Sequence, residues 1–328
     1  MNKKPELVCP AGTPAALRIA VIAGADAVYL GLCDQTNARN FPGLNFSEEE
    51  LAQGVDFAHE RGVKVLLAVN TYAKAGDNKP WIKAIDIAAR LKIDAVILAD
   101  VGLLDYAHRT YPDLRLHLSV QAAASNAASI NFYAKEFNVR RVVLPRVLSV
   151  DEIKAINEKI KVETEVLAFG GMCPMAEGHC SMSSYVTGQS PNKDGICSPP
   201  SHVTYEQLGT RLATKLAGLT INNFEEHEQV GYPTLCKGRF MANNRTGYLF
   251  ESPTSLNIMT ILPELIDAGV SAFKIEGRQR SKAYIKAVVE NFRKAVDAAA
   301  EGRKLIIPMD HLYEGGEDTV GAYKKDWS

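Results

Sequence analysis

Eight short apolar runs, each followed by a helical pattern, predict a closed (β/α)8, TIM-like barrel. Two further observations support this α/β class. Several runs are apolar almost throughout, as strands buried on both faces are. The stretches between them carry helix-start signals. A doubly wound open sheet would share the periodicity; the count of eight favours the barrel.

The runs fall at residues 6–9, 27–31, 63–69, 95–99, 114–120, 141–144, 165–169 and 272–276. Thr13-Pro14 supplies an N-cap with proline at the first helical position. Ser47-Glu-Glu-Glu50 and Ser149-Val-Asp-Glu152 are capping boxes, in which hydroxyl and carboxylate satisfy free backbone N–H groups. Gly24, Gly62 and Gly269 are placed at helix ends. The interval 170–254 is too long for one loop and reads as an insertion after the seventh strand. Within it, Arg239-Phe-Met-Ala242 and Gly247-Tyr-Leu-Phe-Glu251 flank Asn243-Asn-Arg-Thr246, a hairpin signal. Residues 255–268 are expected to form a helix before the eighth strand, and 281–303 the last helix. The predicted organisation is therefore barrel strands one to seven in 1–170, a cysteine-rich insertion in 171–254, the last barrel units in 255–303 and a tail in 304–328.

The 328 residues are 46% hydrophobic and 23% charged, the composition of an ordinary globular protein. A net charge of −1 gives no electrostatic footprint for nucleic acid. No apolar run reaches the length of a membrane span. Met1-Asn-Lys-Lys-Pro5 leads into strand-like residues without a leader's apolar region. The expected compartment is the cytoplasm, where clustered thiols bind metal more often than they pair.

Four of the six cysteines follow the seventh strand, as Cys173, Cys180, Cys197 and Cys236, with spacing C-x6-C-x16-C-x38-C. This lacks the two close pairs of a zinc finger and the tight C-x2-C run of small ferredoxins. Four separated thiolates suit an iron–sulfur cluster, whose irons are reached from different loops. Structural zinc and unrelated buried or redox thiols remain alternatives. Cys9 and Cys33 read as small buried residues.

In such barrels the reacting groups lie at the C-terminal strand ends. That rule selects Asn37 and Arg39, Asn70, Asp100, Gln121, Arg146, and then Lys274, Glu276, Arg278 and Arg280. Guanidinium groups match carboxylate or phosphate bidentately. Asn37, Arg39, Arg146 and Arg278 are therefore candidates for binding a small polyanion, with Asn70, Gln121 and Glu276 placing the reacting group. The competing reading pairs each arginine with a local carboxylate such as Glu276. There is no H-E-x-x-H, no G-x-S-x-G and no dinucleotide fingerprint.

Several segments resemble one family. They are Leu7-Val-Cys-Pro-Ala-Gly12, Gly24-Ala-Asp-Ala-Val-Tyr29, Thr36-Asn-Ala-Arg39, Val142-Val-Leu-Pro-Arg-Val-Leu-Ser149, Ser190-Pro-Asn192, Gly231-Tyr-Pro-Thr-Leu-Cys-Lys-Gly-Arg239, Lys274-Ile-Glu-Gly-Arg278 and Gly321-Ala-Tyr323. Together they are similar to the collagenase-like peptidase family of unknown catalytic type, the U-family numbered thirty-two. The segment 231–239 is most similar to its ubiquinone-biosynthesis branch. The resemblance implies a [4Fe–4S] cluster on Cys173, Cys180, Cys197 and Cys236. It implies oxygen-independent hydroxylation of a quinone precursor ring, with prephenate, a dicarboxylate, as oxygen donor. It also implies a heterodimer with a UbiV-like sister protein and a UbiT-like lipid carrier as accessory. The near-neutral charge and the quinone-branch cysteine segment argue against a stable nucleic-acid partner. Related members hydroxylate RNA bases, and an RNA-base hydroxylase or a non-catalytic electron-transfer or scaffold subunit are the other readings. No residue supports a peptidase mechanism.

Overall fold

A computed structural model describes residues 4–176 and 178–325. Strands and helices alternate as β1 (Glu6–Pro10), α1 (Pro14–Ile22), β2 (Ala27–Leu30), α2 (Glu48–His59), β3 (Lys64–Val69), α3 (Lys79–Arg90), β4 (Ala95–Leu98) and α4 (Val101–Thr110). They continue as β5 (Leu116–Leu118), α5 (Ala127–Phe137), β6 (Val139–Val143), α6 (Val150–Asn157) and β7 (Glu163–Gly171). The insertion holds α7 (Ser181–Thr187), α8 (Pro191–Asp194), β8 (Val203–Leu208), β9 (Arg211–Leu216), β10 (Leu219–Phe224), β11 (Arg239–Ala242) and β12 (Arg245–Tyr248). Then come β13 (Ser255–Asn257), α9 (Leu262–Asp267), β14 (Ala272–Ile275), α10 (Lys282–Ala300) and β15 (Asp318–Thr319).

Strands β1 to β7 pair in parallel in chain order, and β14 pairs in parallel with both β7 and β1. The eight-stranded barrel is closed. The start signals act as expected: Thr13 caps α1, and both capping boxes form. Helices pack a continuous apolar layer around the barrel, with Trp81, Phe46, Phe169, Phe273 and Phe292 fully buried in it.

Several expectations need correction. Residues 255–268 are not one helix. Ser255–Asn257 forms β13, which runs antiparallel to the end of β7, and helix begins only at α9 after a short 3-10 turn. The hairpin turn is Asn243-Asn244 alone, both with positive φ as the two-residue turn of that hand requires, so Arg245 and Thr246 belong to β12. The antiparallel sheet β8–β9–β10 was not foreseen; its outer strand is largely exposed and polar. Cys33 is exposed, not buried. Lys274 does not reach the mouth, because its side chain turns into the barrel.

The barrel interior is partly apolar, with Val8, Ala27, Tyr29, Leu66, Ala95, Ile97 and Ala272 in contact. Towards the N-terminal end it is charged. Glu165 has no solvent exposure; it accepts from Lys274 Nζ at 2.7 Å and from Arg141 Nη1 at 3.4 Å. Arg141 also binds Glu6 at 2.8 Å and Glu163 at 2.6 Å. His117 lies alongside, with Arg115 Nε donating to its Nε2 at 3.1 Å.

Two stability predictions follow from this network. Glu165→Gln leaves two buried cations short of a partner and should destabilise by about 3 kcal/mol. Glu165→Met with Lys274→Met should recover most of that loss in urea unfolding. The second concerns pH. Burial, then Arg141 and Arg115, hold the His117 imidazole well below 6.5. The unfolded chain therefore binds that proton first, so stability is full above about 6.5 and falls as pH drops. For Glu6 and Glu163 burial alone would raise the carboxyls, but Arg141 outweighs it and both sit below 4.5. They add a second loss further into acid. His117→Gln should flatten the first limb, between about pH 7 and 5, and leave the second.

Candidate metal centre and barrel mouth

Strand β7 ends in two glycines for a steric reason. Gly170 has φ +145, and a Cβ there would lie 2.6 Å from Glu276 Cβ. The chain then turns over the C-terminal face, and Cys173 follows two residues after the strand. Cys180 caps α7, its sulfur accepting from Ser183 N at 3.4 Å. The Ser183 hydroxyl donates to the Cys197 carbonyl. Cys236 sits in a 3-10 turn, and its carbonyl accepts from Glu251 N at 3.1 Å. Cys236 is buried, Cys173 and Cys180 half-buried and Cys197 exposed.

The four thiols feel one another. Burial, then repulsion from Cys173, Cys197 and Cys180, pushes the Cys236 thiol up to about 12. Burial and Cys197 also raise Cys180, against the Ser183 N–H bond. Without a cation, thiolates at Cys180 and Cys236 are disfavoured; a bound cation reverses that. Among the described residues, no three Cys, His, Asp or Glu side chains converge as ligands of a single ion.

The insertion lies over the barrel mouth. Tyr72 N donates to the Asn192 carbonyl at 2.8 Å. A Cβ on Gly195 would lie 2.8 Å from the Asn37 carbonyl, and one on Gly178 would lie 2.6 Å from Gln121 Oε1. The His179 ring packs edge-on against Tyr72, 6.0 Å between centroids.

Beneath this cover the mouth residues divide. Arg278 is buried, 5.5 Å over the Tyr29 ring, and Nη1 donates to Asn37 Oδ1 at 3.3 Å. Burial, reinforced by Arg39, pulls its guanidinium down to about 10, still charged at neutral pH. Gly12 permits this placement, since a Cβ there would lie 1.8 Å from the Arg278 carbonyl. Arg39 is exposed, and its Nη1 donates to the Ala38 carbonyl at 2.8 Å. Among the described residues, neither Arg39 nor Arg278 is in ion-pair contact with a carboxylate. Arg146 differs: it is buried and paired with Glu276, as the local-carboxylate reading held. Burial would raise the Glu276 carboxyl, but Arg146 and then Arg39 outweigh it, and Glu276 is held below 4.5.

Asn37, Arg39, Arg146, Glu276 and Arg278 thus share one electrostatic neighbourhood. Asn70 meets it through backbone, its Oδ1 accepting from Ala38 N at 3.0 Å. Gln121 lies under Gly178, with Oε1 buried and without a hydrogen-bond partner among the described residues. Sequence reasoning missed Tyr29. Its ring lies 4.1 Å from Lys274 Nζ and also faces Arg278, and its hydroxyl donates to the Ile275 carbonyl at 2.9 Å. Strand alternation from Ala27 was the available signal.

The chain is similar to curated proteins along most of its length. It is 30% identical over 331 residues to "tRNA hydroxylation protein P1" of Bacillus subtilis, covering 98% of this chain and 71% of that one. It is 32% identical to "Uncharacterized protease MJ0090" of Methanocaldococcus jannaschii, covering 90% and 66%. It is 29% identical to "23S rRNA 5-hydroxycytidine C2501 synthase" of Escherichia coli, covering 91% of this chain and 40% of that one. Residues 12–316 match the family described as "Peptidase family U32". That match takes in every barrel strand from β2 onward, the mouth and all four insertion cysteines, and the chain belongs to peptidase family U32.

Proposed function

We propose that this chain is a hydroxylase of the U32 family, a UbiU-like iron–sulfur subunit acting on a quinone precursor ring without oxygen. One observation carries the reading: two mutually repelling guanidinium groups, Arg39 and Arg278, lie without ion-pair contact to a carboxylate among the described residues, at a mouth covered by a four-thiol segment. Two relatives whose names state hydroxylation support the reaction class. The donor set fits a [4Fe–4S] cluster. Cys173, Cys180, Cys197 and Cys236 would hold it. When bound, such a cluster supplies electron transfer or Lewis acidity at iron.

The chain's own residues prepare the mouth for an anion. Arg278 is fixed by Asn37 and Tyr29 and, among the described residues, touches no carboxylate in a dry setting, where a carboxylate is worth most. Arg39 is exposed and free to close on a second carboxylate. Glu276 is ionised and restrains Arg146. This suits a dicarboxylate such as prephenate, with Gln121 and Asn70 positioned to orient the reacting ring. The insertion packs against Asn37, the residue that holds Arg278. A UbiV-like sister protein as heterodimer partner and a UbiT-like lipid carrier complete the proposal. No described helix is long and apolar enough to cross a membrane.

A second reading, hydroxylation of an RNA base, is favoured by the names of two relatives. The net charge of −1 counts against it. The sequence contains neither the H-E-x-x-H nor the G-x-S-x-G motif of peptidases and hydrolases, whatever the family's name.

An anaerobic preparation should be brown and contain about four irons per chain. Cys236→Ser should lose most of that iron; zinc in place of iron would sink the cluster reading. Arg278→Lys keeps the charge but removes the planar fork. In the assembled complex it should retain its iron and lose tenfold or more in turnover, about 1.4 kcal/mol, with a raised KM for the dicarboxylate. Normal turnover in Arg39→Lys and Arg278→Lys alike would place the anion site elsewhere. A salt-dependent mobility shift with RNA would favour the second reading over the first.

A further inference from the structure

Four stretches of chain meet at one carboxylate on the rim of the mouth. The two oxygens of Glu314 accept separately, one from Lys237 Nζ and the other from Arg280 Nη2. Lys237 directly follows Cys236, and Arg280 lies just beyond Arg278. The third stretch is the end of β7. A Cβ on Gly171 would lie 3.1 Å from one Glu314 oxygen and 3.2 Å from the other. The backbone that leads to Cys173 therefore runs directly against the carboxylate.

The fourth stretch is the turn that bears Glu314, and it is anchored. Glu314 N donates to Ser255 Oγ at 2.8 Å. Gly315 has φ +64, and a Cβ there would lie 2.1 Å from the Pro253 carbonyl. Just beyond, β15 pairs in parallel with β13. The Lys237 and Glu314 side chains are only 15% and 24% exposed. This pair is better shielded than a surface ion pair, and its loss would leave a half-dry ammonium beside Cys236. Ser183 already fastens Cys180 to Cys197. The Cys173 and Cys236 segments meet at Glu314.

We propose that Glu314 is a positioning residue of the metal centre. It holds the Cys236 segment against the Cys173 segment and ties both, through Arg280, to the loop that carries Arg278. The proposal rests on the reading that the four cysteines hold a cluster, and the test separates the two.

Glu314→Gln, Glu314→Asp and the wild type would be prepared anaerobically. Iron release to a chelator should be about fivefold faster or more in Glu314→Gln, a change expected of an opened local contact. The electron-spin signal of the reduced cluster should also change shape. Glu314→Asp keeps the charge but cannot span both cations, and should fall between. In iron-free protein, Cys236 should react about fivefold faster with a disulfide reagent in Glu314→Gln, while the exposed Cys33 keeps its rate as internal reference. Unchanged iron release and Cys236 labelling, with only a lower unfolding midpoint, would overturn the proposal and leave Glu314 a purely structural residue. A wild type without iron would overturn the cluster reading alone, and the labelling rates would then decide the role of Glu314.

Discussion

A carboxylate without access to water sits inside the barrel, and closure is organised around it. Glu165 lies on β7, Lys274 on β14 and Arg141 on β6. These three neighbouring strands bracket the place where the last strand enters. Isolating an ion from water is costly, so the arrangement holds only while all three strands are in register. A slip of one residue would turn Lys274 outward into the apolar helix layer. The charged interior therefore specifies the position of β14 as well as contributing to its stability. The position of β14 in turn sets Glu276 and Arg278, which follow it directly.

From there the geometry propagates through close backbone approaches. Gly12 lets the chain after β14 cross the chain after β1, and Gly170 lets the end of β7 pass Glu276. Both contacts are too tight for a side chain. The mouth is thus assembled from backbones in contact, with charged side chains projecting from a rigid rim. Such a rim holds the buried Arg278 in place against the repulsion of the exposed Arg39.

The parts legible in the sequence were those where burial leaves a strong pattern. The barrel strands are buried on both faces, so they appear as unbroken apolar runs. The capping boxes appeared because hydroxyl and carboxylate must stand three residues apart. The sheet β8–β9–β10 was illegible because one face is solvated and its residues, Thr, Glu, Gln and Lys among them, match a polar loop. Ser255–Asn257 was absorbed into a helix because strand, 3-10 turn and helix share one apolar stretch. Lys274 was misplaced because position near a strand end does not give direction; alternation with Phe273 and Ile275 turns it inward. The cysteine set could be counted, but its mutual proximity depends on an insertion whose packing no local pattern encodes. Glu314 left no signal, since its partners are distant in the chain.

The late arrival of β14 orders the steps of assembly. Barrel closure joins β1 to β14, with Glu6 opposite Ala272, so the two ends of the barrel are separated by nearly the whole chain. All four insertion cysteines precede that closing strand. During synthesis they leave the ribosome while β7 still has an open edge, because domains form as the chain emerges. β13 emerges next and pairs with Phe169 to Gly171 of β7 on the side away from β14, since Phe169 has Asn257 as one neighbour and Ile275 as the other. An unpaired strand edge attracts other chains, so the edge that β14 will take stays exposed during the interval in which the thiols are already present and the barrel is still open.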